Sequence, residues 1–274
     1  MKTIFFILFL GILGSPVIAQ KGYELGGWIG AAHYFGDLNN LYRLNEPGLA
    51  FGFTGRYNFD TRLSVRMQLN YHRIAGNDAK SRNAFDLRRN LNFFSDVFEV
   101  APCMEFNFFP LKHGSREEFV SPYMYAGISI FHYNPKTEYQ GENVALRELG
   151  TEGQISGQEY NEIGSAWLIG GGVKLDLNDK WSLNFDLGYR LTATDFLDDV
   201  SGYYPDDTEL LINRGQIAVD LSDRSIPVDG SAKIGTPGTQ RGDHNEKDKF
   251  LSFGVNLIYY FGKLRCPPIS YPDL

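Results

Sequence analysis

The residue types that most often carry chemistry are sparse in this chain and badly spaced for it. Its five histidines, His33, His72, His113, His132 and His244, show no paired spacing that would bring two imidazoles onto one metal ion. No G-x-S-x-G sequence is available to raise a serine nucleophile. His33 with a nearby rim Ser or Asp is the one place where a lipid hydrolase could be assembled, and the spacing gives that reading no support. Asp195, Asp198, Asp199, Asp206 and Asp207 are numerous enough to ligate calcium but lack the D-x-[DN]-x-[DN]-G order of a calcium loop, which points to a solvated acidic loop. Gly170-Gly171-Gly172 falls inside a strand pattern, where it admits bulky neighbours or a bend rather than cradling a phosphate. The sequence therefore predicts a protein that is not an enzyme and holds neither metal nor cofactor.

The ionisable residues that do recur with a pattern alternate with large apolar ones. From Lys180 to Leu191 the chain reads Lys-Trp-Ser-Leu-Asn-Phe-Asp-Leu-Gly-Tyr-Arg-Leu, a strand with one greasy and one polar face. Seven further segments share that dyad, at about 22–36, 48–59, 62–72, 93–109, 122–133, 164–177 and 250–261. In the second, Leu49, Phe51, Phe53, Tyr57 and Phe59 alternate with Ala50, Gly52, Thr54, Arg56 and Asn58. The fifth is ambiguous because both faces are bulky, and Pro102 in the fourth predicts a bulge or bend where a ladder bond is lost.

Composition narrows the class. Lys2, the apolar stretch 4–13 and Val17-Ile18-Ala19 have the layout of a cleaved export signal over residues 1–19. Ten apolar residues are too few for a spanning helix, which needs roughly 20. The mean hydropathy of -0.27 fits a barrel as well as a soluble protein, since half of each barrel strand faces the lumen. Removing Lys2 leaves 25 basic against 33 acidic residues, a formal charge of -8; so acidic a chain, without a basic cluster, is not a nucleic-acid binder. The two cysteines, Cys103 and Cys266, make no disulfide framework.

These observations predict an all-β fold, an eight-stranded antiparallel transmembrane β-barrel over residues 20–261, followed by a tail, 262–274. An even strand number puts both termini on one side, the periplasm. Short turns near 60–61, 110–121 and 178–179 then face the periplasm. Long connections at 37–47, 75–92, 134–163 and 195–249 face outward. The last of these, rich in Gly, Pro, Ser and Asp, is expected to be mobile. A barrel of eight strands is just wide enough for its own side chains. Arg56, Arg62, Arg66, Lys174 and Arg190 balance Glu24, Glu99, Glu105, Asp176 and Asp186 there, which predicts a self-paired plug; a conducting pore or proton path is the competing reading. The bilayer and lipopolysaccharide would surround such a barrel.

Three stretches carry a family resemblance. Gly30-x-Ala32-x-Tyr34-x-Gly36-Asp37-Leu38-Asn39 looks like the opening signature of the PorG-like outer-membrane proteins of the Bacteroidetes type IX secretion system. Phe106-Asn107-Phe108-Phe109-Pro110, and Ser121 to Gly127 with Phe131 to Lys136, resemble that family's central strand pair, with Met124 and His132 departing from its pattern. The resemblance implies a non-enzymatic secretion component that anchors or positions a periplasmic ring built from a lipoprotein and its soluble partner. Two surfaces could bind such a ring: the turn carrying Lys112, Arg116 and Glu117, and the tail with Arg265, Cys266, Pro267, Ile269 and Tyr271. The prolines of the tail favour an extended docking segment, against a frayed terminus. Cys266 is expected to be free or bonded to another protein, because Cys103 points into a filled lumen. The alternatives are an adhesion or recognition barrel acting through its outer loops, and a soluble lipocalin-type barrel with its apolar faces inside.

Overall fold

A computed structural model of the chain describes residues 21–227 and 232–262. The export signal at 1–19 and the tail residues Arg265, Cys266, Pro267, Ile269 and Tyr271 lie outside the described residues. Eight strands form a closed antiparallel barrel: β1 (Gly22–Phe35), β2 (Gly48–Asn58), β3 (Leu63–Asn77), β4 (Asn92–Asn107), β5 (Val120–His132), β8 (Ile163–Asp176), β9 (Trp181–Thr192) and β10 (Lys249–Tyr260). The order is β3-β2-β1-β10-β9-β8-β5-β4, and β4 pairs with β3 to close the ring. A hairpin of β6 (Pro135–Tyr139) and β7 (Glu142–Ala145) extends the wall above β4 at the long-loop end.

The period-2 pattern settles which face is which. Leu25, Ile29, Phe53, Met67, Phe98, Trp167, Phe185 and Leu257 are exposed on the outside, while Thr54, Arg56, Arg66, Glu99, Glu105 and Asn256 are buried within. This is the reverse of a lipocalin-type barrel. The bulky fifth strand resolves in the same way: Tyr123, Tyr125, Ser129 and Phe131 point inward, and Met124, Ile128 and Ile130 outward. The apolar belt on β4 runs from Phe98 to Phe108. The ten rises between them, at about 3.3 Å each and about 40° tilt, span roughly 25 Å, the height of a hydrocarbon core. An aromatic girdle including Tyr23, Tyr57, Phe59, Trp181, Tyr259 and Phe261 rings the short-turn end. Above the belt, outward-facing Arg73 meets Asp96 at 3.6 Å and His132 meets Glu162 at 3.7 Å.

Three expectations are corrected. Pro102 makes no bulge: Phe98 pairs with His132, Val100 with Ile130, and Cys103 with Gly127, so the register is unchanged on either side of the two skipped residues. Proline's missing donor is tolerated by leaving a ladder bond unmade, with no residue inserted. Arg62 is not in the lumen. The Asp60 carboxylate accepts the Arg62 and Leu63 amides at 2.7 and 2.8 Å, closing a turn that ends before β3 and leaves Arg62 exposed. The long 195–249 connection, read from its composition as a loose loop, is packed over its described residues. It carries α2 (Asp207–Arg214) and α3 (Gln216–Ser222), and buries Leu197, Val200, Leu210 and Leu221; a shorter helix, α1 (Ala84–Arg89), lies between β3 and β4.

Met67 sits near the middle of the belt, 47% exposed. Met67→Arg should cost about 2–4 kcal/mol of stability in lipid vesicles. Denaturant titration in vesicles measures it, and an unchanged midpoint would mean that this face does not meet hydrocarbon.

Candidate functional site

The lumen is organised around two buried carboxylates. Glu105 of β4 accepts from Arg56 of β2 at 3.1 Å and from Arg66 of β3 at 3.3 Å, and also pairs with Lys174 of β8. Glu99, six residues along the same strand and therefore on the same face, holds Arg190 of β9 in a two-pronged contact at 2.8 and 3.0 Å. Glu99 also accepts Asn70 at 2.7 Å and faces His72 at 3.0 Å. Arg66 reaches on to Asp186 at 2.7 Å and lies over the Tyr125 ring, and Arg56 pairs with Glu24. Gly170 and Gly172 make room for this packing: a Cβ at Gly170 would meet the Tyr125 ring at 2.2 Å, and one at Gly172 the Phe185 carbonyl at 1.8 Å. The glycine triplet thus admits bulky neighbours. Cys103 is a buried free thiol in the lumen wall.

With Arg62 outside, the plug would lack one positive charge; His113 supplies it. The 110–121 turn folds back under the barrel and places the His113 imidazole 2.6 Å from Asp176 and 3.2 Å from Glu24, stacked on Tyr260 with centroids 4.2 Å apart. Burial alone would lower its pKa, but the hydrogen bonds and charges of the two carboxylates raise it to about 9, so the ring is cationic at neutral pH. Arg56, Arg66, Lys174, Arg190 and His113 then face Glu24, Glu99, Glu105, Asp176 and Asp186. Sequence reasoning missed His113 because it lies on a turn, where alternation assigns no face. The space remaining beside Glu24, Asn58, His113 and Lys174 is about 10 Å³, room for about one water molecule. The neighbouring Lys112, Arg116 and Glu117 are exposed on this turn, and Lys112 pairs with Glu118 at 2.5 Å.

The opposite mouth is closed by a cap. Arg89 of α1 grips Asp78 at 2.8 and 2.9 Å and donates to the backbone carbonyls of Arg241 and Asp37. Arg241 in turn donates to Glu152 at 3.1 Å and to the Asp199 carbonyl at 2.6 Å. The family-like signature is built into this cap. Tyr34 bonds Asp198 and Asp248, Asp37 accepts the Asp243 amide at 3.0 Å, Leu38 is buried, and Asn39 donates to the Tyr34 carbonyl at 2.7 Å. Asp195, Asp198 and Asp199 are buried, contrary to the solvated loop expected, whereas Asp206 caps α2 and Asp207 is exposed. Among the described residues no cluster of His, Cys, Asp or Glu is arranged to hold a metal. His33 stacks on Phe253 with centroids 5.8 Å apart.

Both ends of the lumen are closed and its interior is charge-paired, so what the geometry offers chemically is surface: an exposed charged turn at one end and an ordered cap at the other. A family described as "Domain of unknown function (DUF6089)" matches residues 2–220. No curated protein matches the chain. Among solved structures, Ail of Yersinia pestis, in complex with the heparin analogue sucrose octasulfate, is similar at 10% identity, covering 88% of this chain and 99% of that one with a TM-score of 0.42. Neisserial surface protein A is similar at 9% identity, with coverage of 88% and 97% and a TM-score of 0.43. OprG from Pseudomonas aeruginosa is similar at 7%, with coverage of 90% and 99% and a TM-score of 0.43.

Removing Glu105 strands Arg56, Arg66 and Lys174 in the lumen. Glu105→Ala should destabilise the barrel by about 3–5 kcal/mol, read by denaturant unfolding in vesicles, against near neutrality for Arg62→Ala. His113 gives a pH test. Its folded pKa lies above the free value of 6.5, so its contribution is complete below 6.5 and is lost as pH rises through about 9. Hydrogen exchange in the 110–121 turn, corrected for intrinsic rate, should therefore rise between pH 7 and 10, and His113→Gln should flatten that rise.

Proposed function

The chain belongs to the DUF6089 family, and on that premise we propose that it is a non-enzymatic outer-membrane barrel that anchors or positions a periplasmic protein assembly. One observation carries this reading. The lumen is filled by paired charges, aromatic rings and neutral polar side chains, so the barrel itself is an anchor and the recognising surfaces lie outside it. An apolar belt of bilayer height with an aromatic girdle supports placement in the membrane. The export signal read from the sequence supports the outer membrane as its destination.

The short-turn end supports the periplasmic role. Both ends of the described barrel emerge there, with the Phe261 amide bonded to the Tyr23 carbonyl at 2.8 Å. The exposed Lys112, Arg116 and Glu117 lie on the turn held by His113. The resemblance of the signature and central strands to type IX secretion proteins supports, as the partner, a ring built from a lipoprotein and its soluble partner. The 263–274 segment, with Arg265, Cys266, Pro267, Ile269 and Tyr271, would extend that docking surface, and Cys266 would be free or bonded to the partner.

A second reading, surface recognition through the outer loops, is favoured by the ordered cap with Leu211, Ile212 and Ile217 exposed on its helices. Mild-detergent pull-down of the tagged chain, followed by mass spectrometry, separates the two. Deleting 263–274 together with Lys112→Glu and Arg116→Glu should abolish recovery of periplasmic partners while the heat-modifiable gel shift of a folded barrel is retained. Undiminished partner recovery, with surface binding lost on deletion of cap residues 206–222, would overturn the anchor reading.

A further inference from the structure

Tyr34 ends β1 with its hydroxyl buried between two carboxylates, 2.5 Å from Asp198 Oδ2 and 2.8 Å from Asp248 Oδ1. A phenol has one proton to give and can accept one. With both carboxyls ionised, one of these contacts would be oxygen against oxygen with no proton between. With one carboxyl protonated, that acid donates to the phenol, the phenol donates to the other carboxylate, and both contacts become hydrogen bonds. Among the described residues neither aspartate makes an ion pair with a cation. Lys247 approaches Asp195 at 3.9 Å and Arg241 approaches Asp199 at 3.9 Å.

The remaining carboxylate oxygens tie down backbone. Asp198 Oδ1 accepts the Val200 amide at 3.0 Å, and Asp248 Oδ2 accepts the Leu197 amide at 2.8 Å. The three residues therefore fasten together the end of β1, the start of the long cap loop and the residue leading into β10. Gly36 is the residue that allows the approach, since a Cβ there would meet Asp248 Oδ1 at 2.0 Å and the Tyr34 hydroxyl at 2.1 Å.

We propose that Asp198, Tyr34 and Asp248 form a shared-proton latch that closes the cap, so that the cap is tight when the latch holds its proton and loosens when the proton leaves. The charged surroundings set the direction. Asp37 from the β1–β2 connection, Glu152 from the β7–β8 connection, Asp195 and Asp199 beside the latch, and Asp243 ahead of β10 bring negative charge; Tyr133 and Tyr160 face it as neutral phenols. Arg89, Arg241, Lys247, Arg147 and Lys249 are cations on the same side, with Arg89 committed to Asp78, Arg241 to Glu152, and Arg147 donating to the Tyr160 carbonyl. Burial raises Asp195 and Asp199 to about 6 and Asp37 to about 7, and it raises Asp198 and Asp248 well above the carboxylate range, reinforced by the charges of Asp248 and Asp37 at Asp198 and of Asp195 and Asp37 at Asp248. An acid whose folded pKa is raised contributes closure fully below its free value near 3.8, and that contribution is lost as pH rises through the folded value. The cap is therefore tightest in acid and opens with alkalinity.

Hydrogen exchange of the full chain in vesicles, followed from pH 5 to 9 and corrected for intrinsic rate, tests the latch. Peptides covering 195–204 should lose protection by about tenfold per pH unit for each proton that the closed cap holds and the open cap does not, as pH rises toward the folded value, and should level off above it, while strand peptides of β3 and β4 stay constant. Asp198→Asn and Asp248→Asn, each neutral at every pH, should flatten the alkaline part of that loss. Protection that is independent of pH in the wild type, or a loss that persists unchanged in both variants, overturns the proposal. Should the variants fail to show the gel shift of a folded barrel, infrared spectroscopy of the wild type decides. A protonated-carboxyl stretch present at neutral pH and lost on alkalinisation together with cap protection supports the latch; its absence at neutral pH overturns it.

Discussion

The structure depends on the impossibility of leaving an ion unpaired inside a barrel too narrow for bulk water. A lone carboxylate or guanidinium there would cost several kcal/mol, so each charged lumen position is constrained by the charge across from it. Glu105 shows how far that constraint reaches: its cations come from β2, β3 and β8, on both sides of the β3–β4 seam that closes the ring. A slip of one residue at that seam would send Arg66 or Glu105 into the lipid face and strand the partner left behind. Charge pairing thus fixes the register that the apolar belt alone would fix only loosely.

The same requirement shapes the two ends. At the short-turn end the barrel completes its balance by drawing in a histidine from a connection, and the fold of the 110–121 turn follows from the need of Glu24 and Asp176 for a proton donor. At the other end the solution is different. Asp78, Asp199 and Glu152 find Arg89 or Arg241, whereas among the described residues Asp198 and Asp248 meet a phenol and backbone amides, and burial raises their pKa well above the carboxylate range. One end is neutralised by a counter-charge and the other partly by protonation, so the two respond to pH over different ranges.

This difference also marks what could be read from the sequence. Alternation is a local signal, and it is sufficient for the outward faces of seven of the eight strands and, Arg62 apart, for the charged lumen residues, because each side chain's direction follows from its neighbours two residues away. It failed at Arg62, where the Asp60 side chain takes over the turn, and it had nothing to say about His113. The acidic run 195–207 reads as solvated because its partners are remote: Tyr34 is 164 residues from Asp198, and Arg241 is 42 from Asp199. Composition registers the aspartates but not the phenol and guanidinium that make their burial tolerable. Strand five was ambiguous for a related reason, since Tyr123 and Tyr125 occupy lumen space opened by Gly170 on another strand.

The placement of the signature residues bears on how such a barrel can act at a distance. Tyr34, Gly36, Asp37, Leu38 and Asn39 gather at the cap, the end opposite the exposed charged turn, while Gly30 and Ala32 lie in the β1 wall; the cap contacts are structural: a latch, a buried leucine and an asparagine closing its own loop. Between the two ends stands a column of ion pairs and aromatic rings, with Trp28 bonded to Asn70, Asn70 to Glu99, and Glu99 to Arg190 beneath Phe250. The column is buried and ties the lumen side chains of β1, β3, β4 and β9 to one another. In this chain the residues of that motif at the cap seal the barrel end that lies opposite the exposed charged turn.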